Sequence, residues 1–290
     1  MFAIIGLMIW STAVVKNQLG KFMRYLYCII NLVLCCVILT STFNDVRAED
    51  KGHPFGPGEK MHFVLKYGVI PAGEATLEVH AMEEINGVDA YHFVVTARSN
   101  SFIDLFFKVR DRVDSYADVD MNHSLYYRKK QHEGKTRRDI TVDFDWEGKK
   151  STYVNFNTEP KVIDLIPGSF DPLSVFYFSR LLDLATEKEF VRPVTDGEKN
   201  LIGNLRVTGS ENVSVGAGTF KTLLLEPDLQ NVEGVFSKKQ RAKIKLWVTD
   251  DERRLLVKMS SKAMVGSFVA ELTSYEVHDA MRISNLKEEE

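Results

Sequence analysis

Cysteine is confined to one corner of this 290-residue chain: Cys28, Cys35 and Cys36 are the only three, and none follows residue 36. The remaining body therefore has no disulfide framework, no thiolate metal site and no thiol nucleophile, so burial of apolar surface must hold it together. Other signatures are missing as well. There is no His-Glu-x-x-His, no Gly-x-Ser-x-Gly elbow, no internal repeat and no low-complexity linker. Beyond residue 48, no apolar run approaches the ~20 residues that a membrane-crossing helix needs. A formal net charge of −3 argues against a dedicated nucleic-acid binder.

Acidic residues are also scarce at the amino terminus, where Asp45 is the only one in the first 48 positions. Lys16, Lys21 and Arg24 precede an apolar run from Tyr25 to Thr40, and Val46-Arg47-Ala48 follows it. Basic, apolar, small-residue is the order of a secretory signal peptide cut after Ala48. A second apolar stretch, Phe2 to Val15, lies upstream, and a start at Met23 gives a signal of ordinary proportions. An uncleaved anchor is the competing reading, but the apolar core is short for a span. Lipidation at Cys35 or Cys36 is disfavoured because Leu34 and Cys35, not small residues, stand before them. The expectation is a signal peptide over 1–48 and a single β-rich domain over 49–290, with a seam between two halves near 157–169. Losing four basic residues and one acidic residue moves the net charge from −3 to −6.

That body reads mostly as period-2 strands broken by turn dipeptides. His62 to Tyr67 is the first strand. Ala75, Leu77, Val79 and Ala81 share one side of the second, and Asn86-Gly87 is the strongest hairpin signal. Tyr91, Phe93, Val95 and Ala97 line the returning strand, and Lys108 to Asp118 is a polar-rich one. With Glu133-Gly134 as a two-residue turn, Lys130 faces Arg137, Arg128 faces Asp139, Tyr127 faces Ile140 and Leu125 faces Val142. Leu125, Tyr127, Ile140, Val142 and Phe144 then share the apolar face, and a one-residue slip would break it.

Glu147-Gly148 turns into Ser151 to Asn155. Strands follow at Glu189–Val194, Leu201–Gly209, Val213–Val215 and Phe220–Glu226, then at Arg241–Thr249, Arg253–Ser260 and Val265–Tyr275. One segment differs. Asp171-Pro172 is a cap and first turn, and Leu173 to Leu184 is apolar around most of a helix, with Ser179, Arg180 and Asp183 on its polar side. Such a helix must be buried, so the expected fold is mainly β: a large curved antiparallel sheet, an open or partial barrel, wrapped on one buried helix.

Several strings occur in a set order: Tyr67-Gly68-Val69-Ile70-Pro71-Ala72-Gly73-Glu74-Ala75, Val109-Arg110-Asp111-Arg112 with Asp114-Ser115, and Asp171-Pro172-Leu173-Ser174. Gly218-Thr219-Phe220-Lys221-Thr222, Leu246-Trp247-Val248-Thr249-Asp250-Asp251, Arg253-Arg254-Leu255 and Gly266 complete the series. In that order the chain resembles the bacterial family of exported proteins catalogued as domain of unknown function 3108, over roughly Lys60 to Tyr275. The resemblance implies an exported all-β envelope protein and carries over no activity. Where the family pattern has a proline after the paired arginines, this chain has Leu255 and Leu256.

Chemistry is thin. His62, His80 and His92 fall on neighbouring strands, where hydrogen-bonded sheet histidines are the plainer reading than a zinc site. Asp143 and Asp145 share a strand face, as paired carboxylates of a glycosidase would, but also as any solvated strand face does. Gly216 to Gly218 is a hairpin turn, since a phosphate loop would need a helix after it. No cofactor and no metal are implied.

The basic residues stand out more. Arg128, Lys129, Lys130, Lys135, Arg137 and Arg138 crowd one hairpin, and Lys238, Lys239, Arg241, Lys243 and Lys245 form a second cluster. Arg128, Lys130, Arg137, Arg241, Lys243 and Lys245 are the candidate binding residues, suited to anionic lipid headgroups or acidic glycans. Lys130 opposite Arg137 would be a like-charge pair that an anion relieves. The bland alternative is a charged strand edge that resists aggregation.

The functional expectation is an exported periplasmic or outer-membrane-associated protein, non-catalytic, peripheral to the membrane at most. It would bind or carry a lipid or other envelope ligand. An assembly factor working through an envelope protein partner and a polysaccharide hydrolase are the alternatives. An open apolar cavity beside helix 171–184 would favour a carrier, and a filled core a scaffold.

Overall fold

The structure, a computed structural model, describes residues 52–231, 243–262 and 267–277. The signal-peptide expectation over 1–48, Lys238, Lys239, Arg241, Gly266 and His278 lie outside those residues. The elements in chain order are β1 (Lys60–Tyr67), β2 (Ile70–Val79), β3 (Glu83–Ile85), β4 (Val88–Ser99), α1 (Ser101–Asp104), β5 (Arg110–Asp118), β6 (Ser124–Glu133), β7 (Thr136–Asp145), β8 (Lys150–Asn155) and β9 (Lys161–Asp164). They continue with α2 (Ser174–Ser179), β10 (Glu189–Thr195), β11 (Asn200–Val215), β12 (Gly218–Asn231), β13 (Lys243–Thr249), β14 (Leu256–Lys262) and β15 (Ser267–Glu276).

All strands join one antiparallel sheet in the order β10-β11-β12-β13-β14-β15-β1-β2-β4-β5-β6-β7-β8-β9, with β3 beside β4. The first strand pairs with the last, Lys60 with Glu276 and Tyr67 with Phe268. The sheet therefore curls as a meander that opens only between β9 and β10. Those edges meet through side chains: Asn200 Nδ2 donates to the Asp164 carbonyl at 2.6 Å, and Lys161 pairs with Glu198. At Gly197 the β10–β11 turn runs so close over β7 that a Cβ would lie 2.6 Å from Val142, and φ is +85°. Glycine supplies both the space and the left-handed conformation. Short charged β9 and Pro193 in β10 blunt what remains of the two edges.

Alternation puts one face of every strand inside. Ala75, Leu77 and Val79 of β2, Phe93, Val95 and Ala97 of β4, and Ile244, Leu246 and Val248 of β13 are buried in one contiguous core. Ala81 is exposed because β2 ends at Val79. The Asn86-Gly87 turn is present, with φ of +53° and +81°, as a two-residue hairpin of this twist requires.

Four expectations need correction. The β6–β7 loop is Gly134-Lys135, so Tyr127 faces Val142, Lys129 faces Ile140, Lys130 faces Asp139 and Arg137 faces His132. The pairing is displaced by two residues, which keeps every side chain on its expected face. Gly134, at φ +53°, takes the first loop position, where hairpin twist favours glycine. The like-charge pair Lys130–Arg137 does not form. Next, Leu201–Gly209 and Val213–Val215 belong to one strand, β11, which absorbs Thr208 as a bulge between Val207 and Gly209.

The helix is shorter than 171–184. Only Ser174–Ser179 is α-helical, since Val175, Phe176, Tyr177 and Phe178 are poor intrinsic helix formers and packing sets its extent. Finally, its expected polar side is buried: Ser179 and Arg180 are 3% and 2% exposed. Asp171 still serves the helix start, accepting from Leu173 N at 2.8 Å and Ser174 N at 3.1 Å.

Helix α2 lies in the connection between the two edge strands and enters the concavity. Tyr177 stacks on Phe93 with centroids 3.8 Å apart, and Phe55 meets Tyr91, Phe93 and Tyr177 edge-on. Every residue of α2 is buried.

Candidate functional site

Three polar nodes are buried in the sheet interior. In the first, Ser115 of β5 and Ser124 of β6 donate to Asp171 at 2.7 and 2.5 Å, and Ser115 lies 2.6 Å from Ser174. Burial raises the Asp171 carboxyl above its ordinary value, against the hydrogen bonds that favour its ionised form. This node joins two of the sequence strings, Asp114-Ser115 and Asp171-Pro172-Leu173-Ser174. It fastens the helix start to the sheet, and its hydroxyls point at the carboxylate rather than at a substrate.

In the second node, Arg180 reaches Glu59 (Nη2 to Oε2, 2.7 Å), the Pro54 carbonyl (2.9 Å) and the Arg253 carbonyl (2.8 Å). Its guanidinium carbon lies 5.3 Å from the Phe55 ring centre and 5.5 Å from that of Tyr177. The third node comprises Asp111, Lys129, Gln131 and Glu133, all at most 4% exposed. Burial lowers the Lys129 ammonium to about 8, against the pull of Glu133 and Asp111. Burial, helped by Asp111, raises Glu133 well above its ordinary value. Lys129 thus leaves the basic surface to which the sequence assigned it, because β6 alternation turns positions 127, 129, 131 and 133 inward.

On the outer face, a groove of about 570 Å³ crosses β15, β1, β2 and β4, lined by His62, Glu74, Thr76, Glu78, Thr96 and Arg98 among others. Its polar groups satisfy one another: Glu78 pairs with Lys60 at 3.3 Å, Arg98 pairs with Glu74, and Thr76 and Thr96 lie 2.8 Å apart. His80 and His92 approach to 5.0 Å between ring centres, but His80 pairs with Glu78 and His92 with Glu83 and Asp114. Among the described residues, no group of three His, Cys, Asp or Glu side chains is placed to hold a metal. Asp143 and Asp145 both face outward; burial raises Asp143, whereas Asp145 accepts from Gly148 N at 2.8 Å.

The six candidate binding residues separate. Arg128 is held bidentately by Asp139 at 3.0 and 2.9 Å. Lys245 pairs with Glu226 at 3.2 Å. Lys243 opens β13 opposite Lys262, and Arg241 is outside the described residues. Lys130 and Arg137 are exposed, and the ion pairs of the described residues include neither, nor Lys135; Arg137 donates only to the Gly134 and Thr136 carbonyls. Six strands separate β6 from β13, so the two clusters do not share neighbouring strands. The reading missed the loop beside this hairpin: Gly134 N donates to the Lys108 carbonyl at 2.8 Å, and the Phe107 ring covers Gly134. The run Phe102 to Lys108 was the available signal.

Fold and site together define an open, barrel-like antiparallel β protein with its own helix in the concavity and a free basic hairpin on the outside. The chain belongs to the family described as Protein of unknown function (DUF3108), whose model matches residues 62–273. The β-barrel-like protein of domain of unknown function DUF1849 from Brucella abortus shares the fold, with a TM-score of 0.52 at 11% identity over 78% of this chain and 99% of that one. A candidate lipoprotein from Parabacteroides distasonis aligns at TM-score 0.36 and 10% identity over 79% and 100%. A candidate exported protein with a YmcC-like fold from Bacteroides fragilis aligns at 0.30 and 10% over 77% and 97%. No curated protein matches.

Proposed function

We propose that this chain is an exported, non-catalytic component of the cell envelope, periplasmic or associated with the outer membrane, that binds the anionic headgroup of an envelope lipid or an acidic glycan on its outer surface. The observation that carries the reading is the β6–β7 hairpin, where Lys130, Lys135 and Arg137 project to solvent with no ion pair among the described residues. Several other cations of the outer face have carboxylate partners, as in Lys60–Glu78, Arg112–Asp114 and Lys245–Glu226, although Lys108 and Lys149 do not among the described residues. Exposed cations outside any ion pair, with Lys130 acting on Asp139 only through space, can meet phosphate or carboxylate with little desolvation. Packing of α2 and Phe55 onto the concave face favours surface binding over a carrier that encloses its ligand. Export rests on the basic, apolar and small-residue order of positions 16–48.

Calorimetric titration and thermal shift with two soluble probes separate the ligand sources: short-chain phosphatidylglycerol below its micelle concentration, and an acidic oligosaccharide. One of them should bind and raise the melting temperature, and Lys130→Glu/Lys135→Glu/Arg137→Glu should abolish the effect. Neither probe binding the unaltered protein would overturn the reading.

A further inference from the structure

The strands have two ends, and apolar exposure is divided unequally between them. At one end lie the β1–β2 turn, the β4–β5 connection with α1, the β6–β7 turn and the β8–β9 connection. Six of the nine large apolar side chains that stand out to solvent among the described residues border these turns and connections; Met82 and Val88 belong to the other end, and Val162 lies within β9 opposite Thr152. Val69 is 90% exposed, Leu105 77%, Phe102 59% and Phe106 57%. A soluble surface scatters such residues singly, so a concentration on adjoining loop tips marks a contact face.

The tips are held in place. Asn100 caps α1 by accepting from Ile103 N at 2.9 Å, and it ties the loop to β2 through Asn100 N to the Ala72 carbonyl (3.0 Å) and Asn100 Nδ2 to the Pro71 carbonyl (2.7 Å). Arg110 clamps Asp104 at 2.5 and 3.1 Å, so the carboxylate nearest the tips is neutralised. Phe102 and Phe106 stand edge to face at 5.7 Å, and the buried Phe107 anchors the loop against Gly134. Beside them are Lys108, Lys135 and Arg137, exposed and without ion pairs among the described residues. Two acids of this end are engaged, Glu74 with Arg98 and Glu198 with Lys161, while Glu159 of the β8–β9 connection is exposed with no ion pair among the described residues.

We infer that this end docks on an anionic bilayer surface. Phe102, Leu105, Phe106, Val69 and Ile70 enter the interfacial region, and Lys108, Lys135 and Arg137 meet lipid phosphates. The inference rests on the proposed headgroup reading and adds the bilayer and the apolar tips. Charge complementarity selects the occupant: apolar tips rimmed by free cations fit an acidic lipid surface, whereas a second copy would bring the same cations against each other.

Sedimentation with phosphatidylglycerol/phosphatidylcholine vesicles, and with phosphatidylcholine alone, tests it. The chain without residues 1–48 should pellet with the acidic vesicles and release at high salt. Phe102→Ser/Leu105→Ser/Phe106→Ser should weaken binding about tenfold, while Met82→Ser/Val88→Ser at the opposite end should leave it unchanged, with circular dichroism reporting the fold of both. If the unaltered chain pellets and the triple variant pellets equally, the docking face is wrong while the headgroup reading stands. If the unaltered chain pellets with neither vesicle, docking is overturned whatever the soluble probes show. A vesicle-independent dimer that the triple variant dissolves would overturn it in favour of self-association.

Discussion

Asp114 illustrates how single residues on the outer face are tuned. Burial would raise its carboxyl, but hydrogen bonds from His92 at 2.9 Å and from Arg112 at 2.8 and 2.5 Å outweigh that and hold it far below the carboxylate range. His92 is itself stacked on Tyr116 with ring centres 4.3 Å apart. A carboxylate whose folded value lies below its unfolded one contributes stability that is present above the unfolded value, near 3.8, and is lost as pH falls toward the folded value. Asp114→Asn should therefore destabilise the protein at neutral pH, and the difference from the unaltered chain should shrink steadily below pH 4. Urea titrations across that range measure it, and a difference independent of pH would show that the ion cluster contributes no linkage.

At the scale of elements, α2 depends less on helix propensity than on what surrounds it. Six residues cannot sustain a helix alone. The Asp171 node fastens its start, Tyr177 stacks on Phe93 in its middle, and Arg180 closes its end on Glu59 and two carbonyls. Removing one partner of a buried pair leaves the other charged and unsolvated, a loss of about 3–5 kcal/mol. Arg180→Ala should cost that much by denaturant unfolding, whereas Asp183→Ala, at an exposed position past the helix, should cost far less. Equal costs at the two sites would show that Arg180 does not hold the helix end.

For the whole molecule, the closure of β1 on β15 places β1 in the middle of the sheet and leaves β9 and β10 as the two ends of its main path among the described residues, with the short β3 as a side edge on β4. Backbone groups of β1, β2 and β4 are paired on both sides, while the seam is held mainly by side chains such as Asn200 and Lys161. Hydrogen exchange should accordingly be slowest in β1, β2 and β4 and fastest in β9, whereas on the outer side of β10 the Thr195 N–H is held by the Phe170 carbonyl at 2.9 Å. Equal protection at β9 and β1 would mean that the sheet closes by backbone pairing in solution.

Alternation along each strand, read from residues such as Ala75, Leu77, Phe93, Ile244 and Val248, already determined which side chains enter the core, because strand periodicity is local. The Asn86-Gly87 turn and the buried helix after Asp171-Pro172 were legible for the same reason, and the family strings matched across the sheet. Pairing partners were not. The two-residue displacement in β6–β7 preserves every face, so hydrophobic pattern alone cannot distinguish it, and only the packing of Gly134 under Phe107 selects it. Nor could a linear reading see that Arg180 meets Glu59, that Lys129 turns inward to Glu133, or that Val69 and Phe102–Phe106 assemble beside Lys135. Those contacts join residues far apart in the chain, and the curl of the sheet, rather than any local preference, brings them together.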